Sequence, residues 1–211
     1  MTRVLIADDH PVVRRGLVEI VAGEPGMTVA GQAATGPEAL AFVRTHGCDV
    51  VVLDLSLPGL SGLDVLKQLK HEQPRLPVLV LSIYPEDQFA VRVLRAGAAG
   101  YLTKESAPEE LVRALHKVSR GGRYVSAALA EQLAADVADP TPAPPHRALS
   151  DREYEVMCLL ASGRTVKEVA AALSLSVKTV STYRARLLEK LHMKTNADLT
   201  RYCLENRLIY S

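Results

Sequence analysis

The sequence predicts an α/β doubly wound domain on a five-stranded parallel sheet, followed by a small all-α helix-turn-helix domain. Three observations carry this reading. Short apolar runs at Val4–Ala7, Val50–Leu53 and Val78–Leu81 suit strands buried on both faces. Stretches of helical period lie between them. After a segment with four prolines in six positions (Pro140, Pro142, Pro144 and Pro145), no strand signal remains.

Taken in order, the strand Val4–Ala7 leads into a helix over Val12–Val21. Thr28–Ala33 is a weaker strand, and Pro37 suits the first turn of a helix to Val43. The strand Val50–Leu53 precedes a helix over Gly62–Leu69, and Val78–Leu81 precedes one over Asp87–Ala96. Ala99–Leu102 is the second weak strand, and Pro108 opens a helix to Val118. A further helix over about Ser126–Val137 reaches the proline-rich stretch. Proline lacks an amide donor and fixes φ, so residues 139–146 join no helix or central strand and read as a semi-rigid linker. Beyond it, Ser150 and Glu153 have capping-box spacing at a helix start, and Gly163 closes that helix. Helices over about Thr165–Leu173 and Val177–Leu191 flank the turn Ser174-Leu175-Ser176, and Asn196 starts the last helix, to about Asn206. The expected limits are 1–122 for the first domain, 123–147 for the extra helix and linker, and 148–211 for the second domain.

Composition narrows the function. With 48% hydrophobic residues among 211, the chain is rich enough to form a core and is not a disordered protein. No run of 18 apolar residues occurs and the N-terminus enters Val4-Leu5-Ile6-Ala7 directly, so neither a membrane span nor a signal peptide is expected. Cys48, Cys158 and Cys203 are odd in number and form no CxxC pair, which fits a reducing, cytoplasmic setting without disulfides or a zinc site. The near-neutral total hides an asymmetry. Residues 146–211 hold eleven Lys and Arg against seven Asp and Glu, and in 178–194 the basic side chains of Lys178, Arg184, Arg186, Lys190 and Lys194 face only Glu189. A polyanion partner would account for this; on charge alone, a solvated helix face would too.

In open α/β sheets, chemistry sits at the carboxyl ends of the strands. Here those ends carry Asp8 and Asp9, Asp54, Ser82 and, after the fifth strand, Lys104. Three carboxylates on adjacent strand ends repel one another unless a cation joins them. A hard divalent ion, Mg²⁺, is expected on Asp9 and Asp54, with the Ser56 carbonyl as a third ligand and Asp8 bound directly or through water. A carboxylate beside Mg²⁺ can attack a phosphoryl group to form an acyl phosphate, with Lys104 offsetting oxygen charge and Ser82 donating a hydrogen bond. In the second domain, Val180, Leu187, Leu188 and Leu191 form a core-facing stripe. Lys178, Ser181, Thr182, Ala185 and Glu189 lie towards the other side, so this helix can enter a major groove. Lys178, Thr179, Tyr183, Arg186, Lys190 and Lys194 are candidates for phosphate or groove-edge contacts.

The segments RVLIADDHPVVRRGL, DVVVLDLSLPGLSGLDVL, PVLVLS and GAAGYLTKE resemble the receiver domain of bacterial two-component response regulators. LSDREYEVMCLLASGRTVKEVAAALSLSVKTVSTYRARLLEKL is similar to the LuxR-type helix-turn-helix, with Glu153, Leu159, Gly163, Glu168, Ala170, Val180 and Leu191 on its motif. Together they make the chain similar to a NarL/FixJ-type response regulator over nearly its full length. The resemblance implies that Asp54 accepts phosphate from a sensor histidine kinase, that Asp8 and Asp9 bind Mg²⁺, that Ser82 and Tyr101 are the switch pair and that Lys104 is the site lysine. It also implies promoter DNA as partner and a homodimer on DNA through the last helix, where Leu199, Tyr202, Cys203, Leu204 and Ile209 are the apolar candidates. Two departures stand out. Glu105 follows Lys104 where many receivers have proline, and Ser181 and Ala185 stand where some members carry lysine, which makes Lys178 and Thr182 the better candidates for base contacts.

Two other functions are expected to fail. A phosphatase using an aspartyl-phosphate usually needs a second acid two residues after the nucleophile, but Leu55-Ser56 follow Asp54; nucleotide binding lacks both GxxxxGK[ST] and GxGxxG. The chain is therefore not expected to be an enzyme. The remaining alternative is a DNA-binding regulator independent of phosphorylation, with a vestigial or ligand-sensing acidic pocket.

Overall fold

The computed structural model describes the chain except for residues 59, 85, 139–143, 174, 207, 210 and 211, and gives only the backbone at 87, 88, 132 and 135–138. Positions 139–143 of the expected linker and Ser174 of the expected turn lie outside the described residues. The chain divides into two compact units, Met1–Leu133 and Ala134–Ser211.

In the first unit, five parallel strands alternate with helices. The strands are β1 (Thr2–Ala7), β2 (Met27–Ala33), β3 (Val50–Asp54), β4 (Val78–Ser82) and β5 (Gly100–Thr103). The helices are α1 (Pro11–Gly23), α2 (Gly36–Thr45), α3 (Gly62–Glu72), α4 (Glu86–Arg95) and α5 (Ala107–Ser119), followed by α6 (Ala127–Ala138). The spatial order is β2-β1-β3-β4-β5. The doubly wound sheet expected from the sequence is the sheet observed, with most element ends shifted by one to three residues. Val4, Ile6, Val50, Val52, Leu79 and Leu81 form one buried face with Leu17 and Val21 of α1 and Leu111, Leu115 and Val118 of α5. α2 and α3 pack together and contact the β1–β3 part of the sheet. Because the order reverses between β1 and β3, a crevice opens there at the carboxyl ends.

Beyond β5 the chain adds a feature the periodicity does not reveal. Tyr124 makes a parallel bridge to Gly100, donating its amide to Ala99 O (2.9 Å) and accepting from Tyr101 N (3.2 Å). This covers part of an otherwise open sheet edge. Gly100 is required there, since a Cβ would lie 2.6 Å from Tyr124 O.

The second unit holds α7 (Asp151–Ala161), α8 (Val166–Ala172), α9 (Val177–Lys190) and α10 (Asn196–Glu205). Residues Pro145–Ala148 form a 3-10 turn, which corrects the expectation that the whole proline-rich stretch joins no helical element. Pro145 stands at the first helical position, where an amide donor is not needed. Caps define the starts of all four helices. Ser150 with Glu153, Thr165 with Glu168 and Thr195 with Asp198 form reciprocal boxes, and Ser176 accepts from Thr179 N. Gly163 (φ +87°) takes the left-handed position after α7, where Arg164 N reaches Leu159 O. The stripe Val180, Leu187, Leu188 and Leu191 is buried as expected, and α7 packs against both α9 and α10.

No described helix is long and apolar enough to cross a membrane.

Two predictions follow from the caps. After α9, His192 adopts φ +55°, its amide reaching Glu189 O and that of Met193 reaching Leu188 O. A β-carbon costs about 1–2 kcal/mol in this conformation. Offsetting the chain entropy of glycine, His192→Gly is expected to stabilise the second unit by about 0.5 kcal/mol, read as a raised urea midpoint; a lowered midpoint would show that His192 is not strained there. The second concerns Glu153, which is buried. Burial pushes its carboxyl up, but the Lys190 ammonium and the amide and hydroxyl of Ser150 outweigh this and hold it below its usual value. Its contribution is therefore complete above the ordinary glutamate value of about 4.3 and is lost as pH falls through the lower, folded-state value. Acid titration of unfolding is expected to be flatter below that point in Glu153→Gln than in the wild type.

Candidate functional site

The register that pairs Ala7 with Leu53 places the next residues, Asp8 and Asp54, abreast in the crevice. On the other side of β3, pairing of Ser82 with Thr103 brings Lys104 into line, and its amide donates to Ser82 O at 2.8 Å. Asp8, Asp54 and Ser82 are all at most 1% exposed. Lys104 Nζ lies 2.6 Å from Asp54 Oδ2 and 2.8 Å from Asp8 Oδ2. The other Asp54 oxygen accepts from Ser56 N (3.0 Å), and Asp8 Oδ1 accepts from His10 N (2.8 Å). Gly62 permits the tight return of α3 onto β3, because a Cβ there would lie 2.0 Å from Asp54 O.

These contacts set the ionisation of the pair. Burial, reinforced by the nearby Asp8 charge, pushes the Asp54 carboxyl above its usual range despite the Lys104 ammonium and the Ser56 amide. Burial pulls Lys104 down, but Asp54 and Asp8 more than compensate, so its proton is held more tightly than usual.

The donor set suits a hard divalent cation. Oxygens of Asp8, Asp9 and Asp54 and a ring nitrogen of His10 lie within 4.8 Å of one another. Asp8 Oδ2 and Asp9 Oδ1 are buried and accept no aligned hydrogen bond, having only the close approach of Lys104 and of His10 Nδ1 (2.6 Å). Sequence reasoning missed His10; its position directly after two acids at a strand end was the available signal. Ser56 is brought to the pocket through its amide.

Ser82 and Tyr101 are joined through one residue. Ser82 Oγ accepts from Tyr84 N (3.0 Å), and the Tyr101 hydroxyl donates to Tyr84 O (2.7 Å). Tyr101 is 1% exposed, its ring already inside the unit. Tyr84 in turn stacks on Phe89, with centroids 4.4 Å apart.

On α9, Lys178, Ser181, Thr182, Ala185 and Arg186 are exposed, as is Lys194 beyond its end, while Thr179 and Tyr183 are half-buried. Lys190 is exposed along its stem but places Nζ 2.7 Å from Glu153, so its ammonium has a structural partner. Arg184 Nε donates to Asn196 Oδ1 (2.7 Å). The sequence reading overlooked Val177, 51% exposed at the first position of α9, and Arg164 and Lys167, exposed at the start of α8. Amphipathic periodicity hides such residues because helix starts fall outside its repeat. The last-helix candidates divide between core and surface. Leu199, Cys203 and Ile209 are buried within the unit, and Tyr202 bonds His146 Nδ1 (2.9 Å), which leaves Leu204 as the exposed apolar side chain of that group.

Comparison with known proteins covers both units. Residues 4–116 match the family described as response regulator receiver domain, and residues 147–203 match bacterial regulatory proteins of the luxR family. Response regulator UvrY of Escherichia coli K12 is 35% identical, the alignment covering 99% of this chain and 96% of that protein. Response regulator GacA of Pseudomonas aeruginosa is 37% identical, covering 99% and 98%. RcsB from Salmonella enterica serovar Typhimurium, solved bound to promoter rprA with the phosphomimetic BeF3⁻, is 28% identical with a TM-score of 0.66, covering 96% of this chain and 98% of that one.

The pocket generates a metal prediction. If Mg²⁺ relieves the repulsion among these acids, it stabilises the folded first unit by about 2.7 kcal/mol at a hundredfold excess over its dissociation constant. Thermal unfolding in Mg²⁺ against EDTA is expected to show a raised Tm that Asp9→Asn largely abolishes; equal Tm values in the wild type would contradict it.

Proposed function

The chain belongs to the NarL/FixJ-type response regulators, DNA-binding transcription regulators that join a receiver domain to a LuxR-type helix-turn-helix, and from that premise we propose that a sensor histidine kinase phosphorylates Asp54 and thereby controls promoter binding. The observation that carries this is the buried Asp54 carboxylate, which shares the Lys104 ammonium with Asp8 at the topological switch point of the sheet. This is a family of regulators rather than enzymes, and the chemistry serves a signal, not turnover. We assign the phosphoacceptor role to 1–122 and DNA reading to 148–211, with 123–147 between them.

The transfer is a simple exchange. An Asp54 oxygen attacks the phosphorus of a phosphohistidine, the P–N bond breaks, and its electron pair stays on the imidazole nitrogen, which takes up a proton. Asp8, Asp9 and Asp54, with the Ser56 carbonyl, would hold Mg²⁺, which would supply charge neutralisation for the phosphoryl oxygens. Lys104 leaves its carboxylate contact to pair with a phosphoryl oxygen, and Ser82 turns its hydroxyl hydrogen towards another. Tyr84, held by both Ser82 and Tyr101, carries that movement to β5 and α4. The resulting state favours a homodimer whose α9 helices enter the major groove of promoter DNA in the cytoplasm. Lys178, Thr179, Ser181, Thr182, Tyr183, Ala185, Arg186, Lys190 and Lys194 provide the candidate contacts, and Arg164 and Lys167 the flanking phosphate contacts.

The test combines labelling with DNA titration. Radiolabel from acetyl phosphate or a kinase is expected on the wild type and not on Asp54→Ala. Beryllofluoride with Mg²⁺ is expected to raise DNA affinity at least tenfold, a preference of about 1.4 kcal/mol for the active state. Label absent from Asp54, or affinity and oligomeric state both unchanged, would overturn the proposal.

A further inference from the structure

Between Val177 and Tyr183, Lys178 is the one charged side chain. The hydroxyls beside it are engaged within the protein. Ser181 Oγ donates to Val177 O (2.9 Å) and Thr182 Oγ1 to Lys178 O (3.0 Å), so both hydroxyl hydrogens are committed to the helix's own carbonyls. Thr179 Oγ1 is engaged with Ser176 Oγ at 2.7 Å. What this end of α9 offers outward, besides Lys178 and the bonded Ser181, is the exposed isopropyl group of Val177 (51%), the methyl of Thr182 and the methyl of Ala185.

Among the exposed side chains from Val177 to Ala185 the one cation is Lys178, so guanine, which is read chiefly by Arg or Lys, finds few partners on this stretch. Apolar groups of this size fit one feature of the groove floor, the thymine 5-methyl. We infer that α9 selects operators by apolar contact with thymine methyl groups, through Val177, Thr182 and Ala185, with Lys178 giving a donor contact beside them. The departures at Ser181 and Ala185 then mark a change in readout chemistry and not only a loss of charge. The inference rests on α9 being the element that enters the groove.

Replacing thymine by deoxyuridine removes the methyl and nothing else, so the DNA itself supplies the test. The full-length protein, with Mg²⁺ and beryllofluoride, selects its preferred duplex from a random pool. Each thymine in the selected site is then replaced singly. Replacement at two or more positions in each half-site is expected to weaken binding about fourfold apiece, the worth of one buried methyl. Thr182→Ser and Val177→Ser, which keep the helix and lose methyl groups, are each expected to abolish the sensitivity at one of those positions. Binding that tolerates every deoxyuridine within twofold overturns the inference while leaving DNA reading intact. Sensitivity that persists unchanged in both variants overturns it too. If no duplex is enriched, the premise about α9 falls, and the inference falls with it.

Discussion

Much of the first unit depends on one buried arrangement, an ammonium shared between two carboxylates at the ends of adjacent strands. Lys104, Asp54 and Asp8 come from β5, β3 and β1 or the residues just past them, and Lys104 Nζ lies within 2.8 Å of both acids. Removing one partner from such a buried group typically costs about 3–5 kcal/mol, because the other charge is left without compensation. The same contacts keep the acids dry and close together, which is the condition a cation or a phosphoryl group can exploit. Stability and reactivity are thus two uses of one electrostatic arrangement.

The fold was largely legible because its strands are extreme. Val50-Val51-Val52-Leu53 and Val78-Leu79-Val80-Leu81 are buried on both faces and read as strands without ambiguity. β2 was harder, since it lies at the sheet edge, is only partly buried, and shifts register against β1 between Val4 and Leu5. The Tyr124 bridge left no signal at all: a single residue pairing with β5 has no period. In the pocket, Asp8, Asp9, Asp54, Ser82 and Lys104 could be read from strand-end positions. The link through Tyr84 could not, because it is made by backbone groups, which no residue type reveals.

The second unit shows a different balance. It is small, and its helices are short, so their ends matter as much as their faces. Ser150, Thr165, Ser176 and Thr195 each accept a backbone amide at a helix start, an arrangement typically worth about 1 kcal/mol apiece. Spacing alone indicates one of these boxes, Ser150 with Glu153. The apolar residues of α10 were misleading for the opposite reason: Leu199 and Cys203 look available in sequence, but both are completely buried in the unit's own core.

The ion pair between Lys190 and Glu153 anchors the far end of α9 to the start of α7, while Leu187 and Leu188 seat the same end in the core. Among the described residues nothing comparable holds the side chains of Lys178, Ser181 and Thr182, and the last two bond to carbonyls of their own helix. The helix is therefore a fixed shank with an exchangeable tip. If α9 reads DNA as proposed, a change of target genes needs only a few substitutions at the tip, without rebuilding the mount.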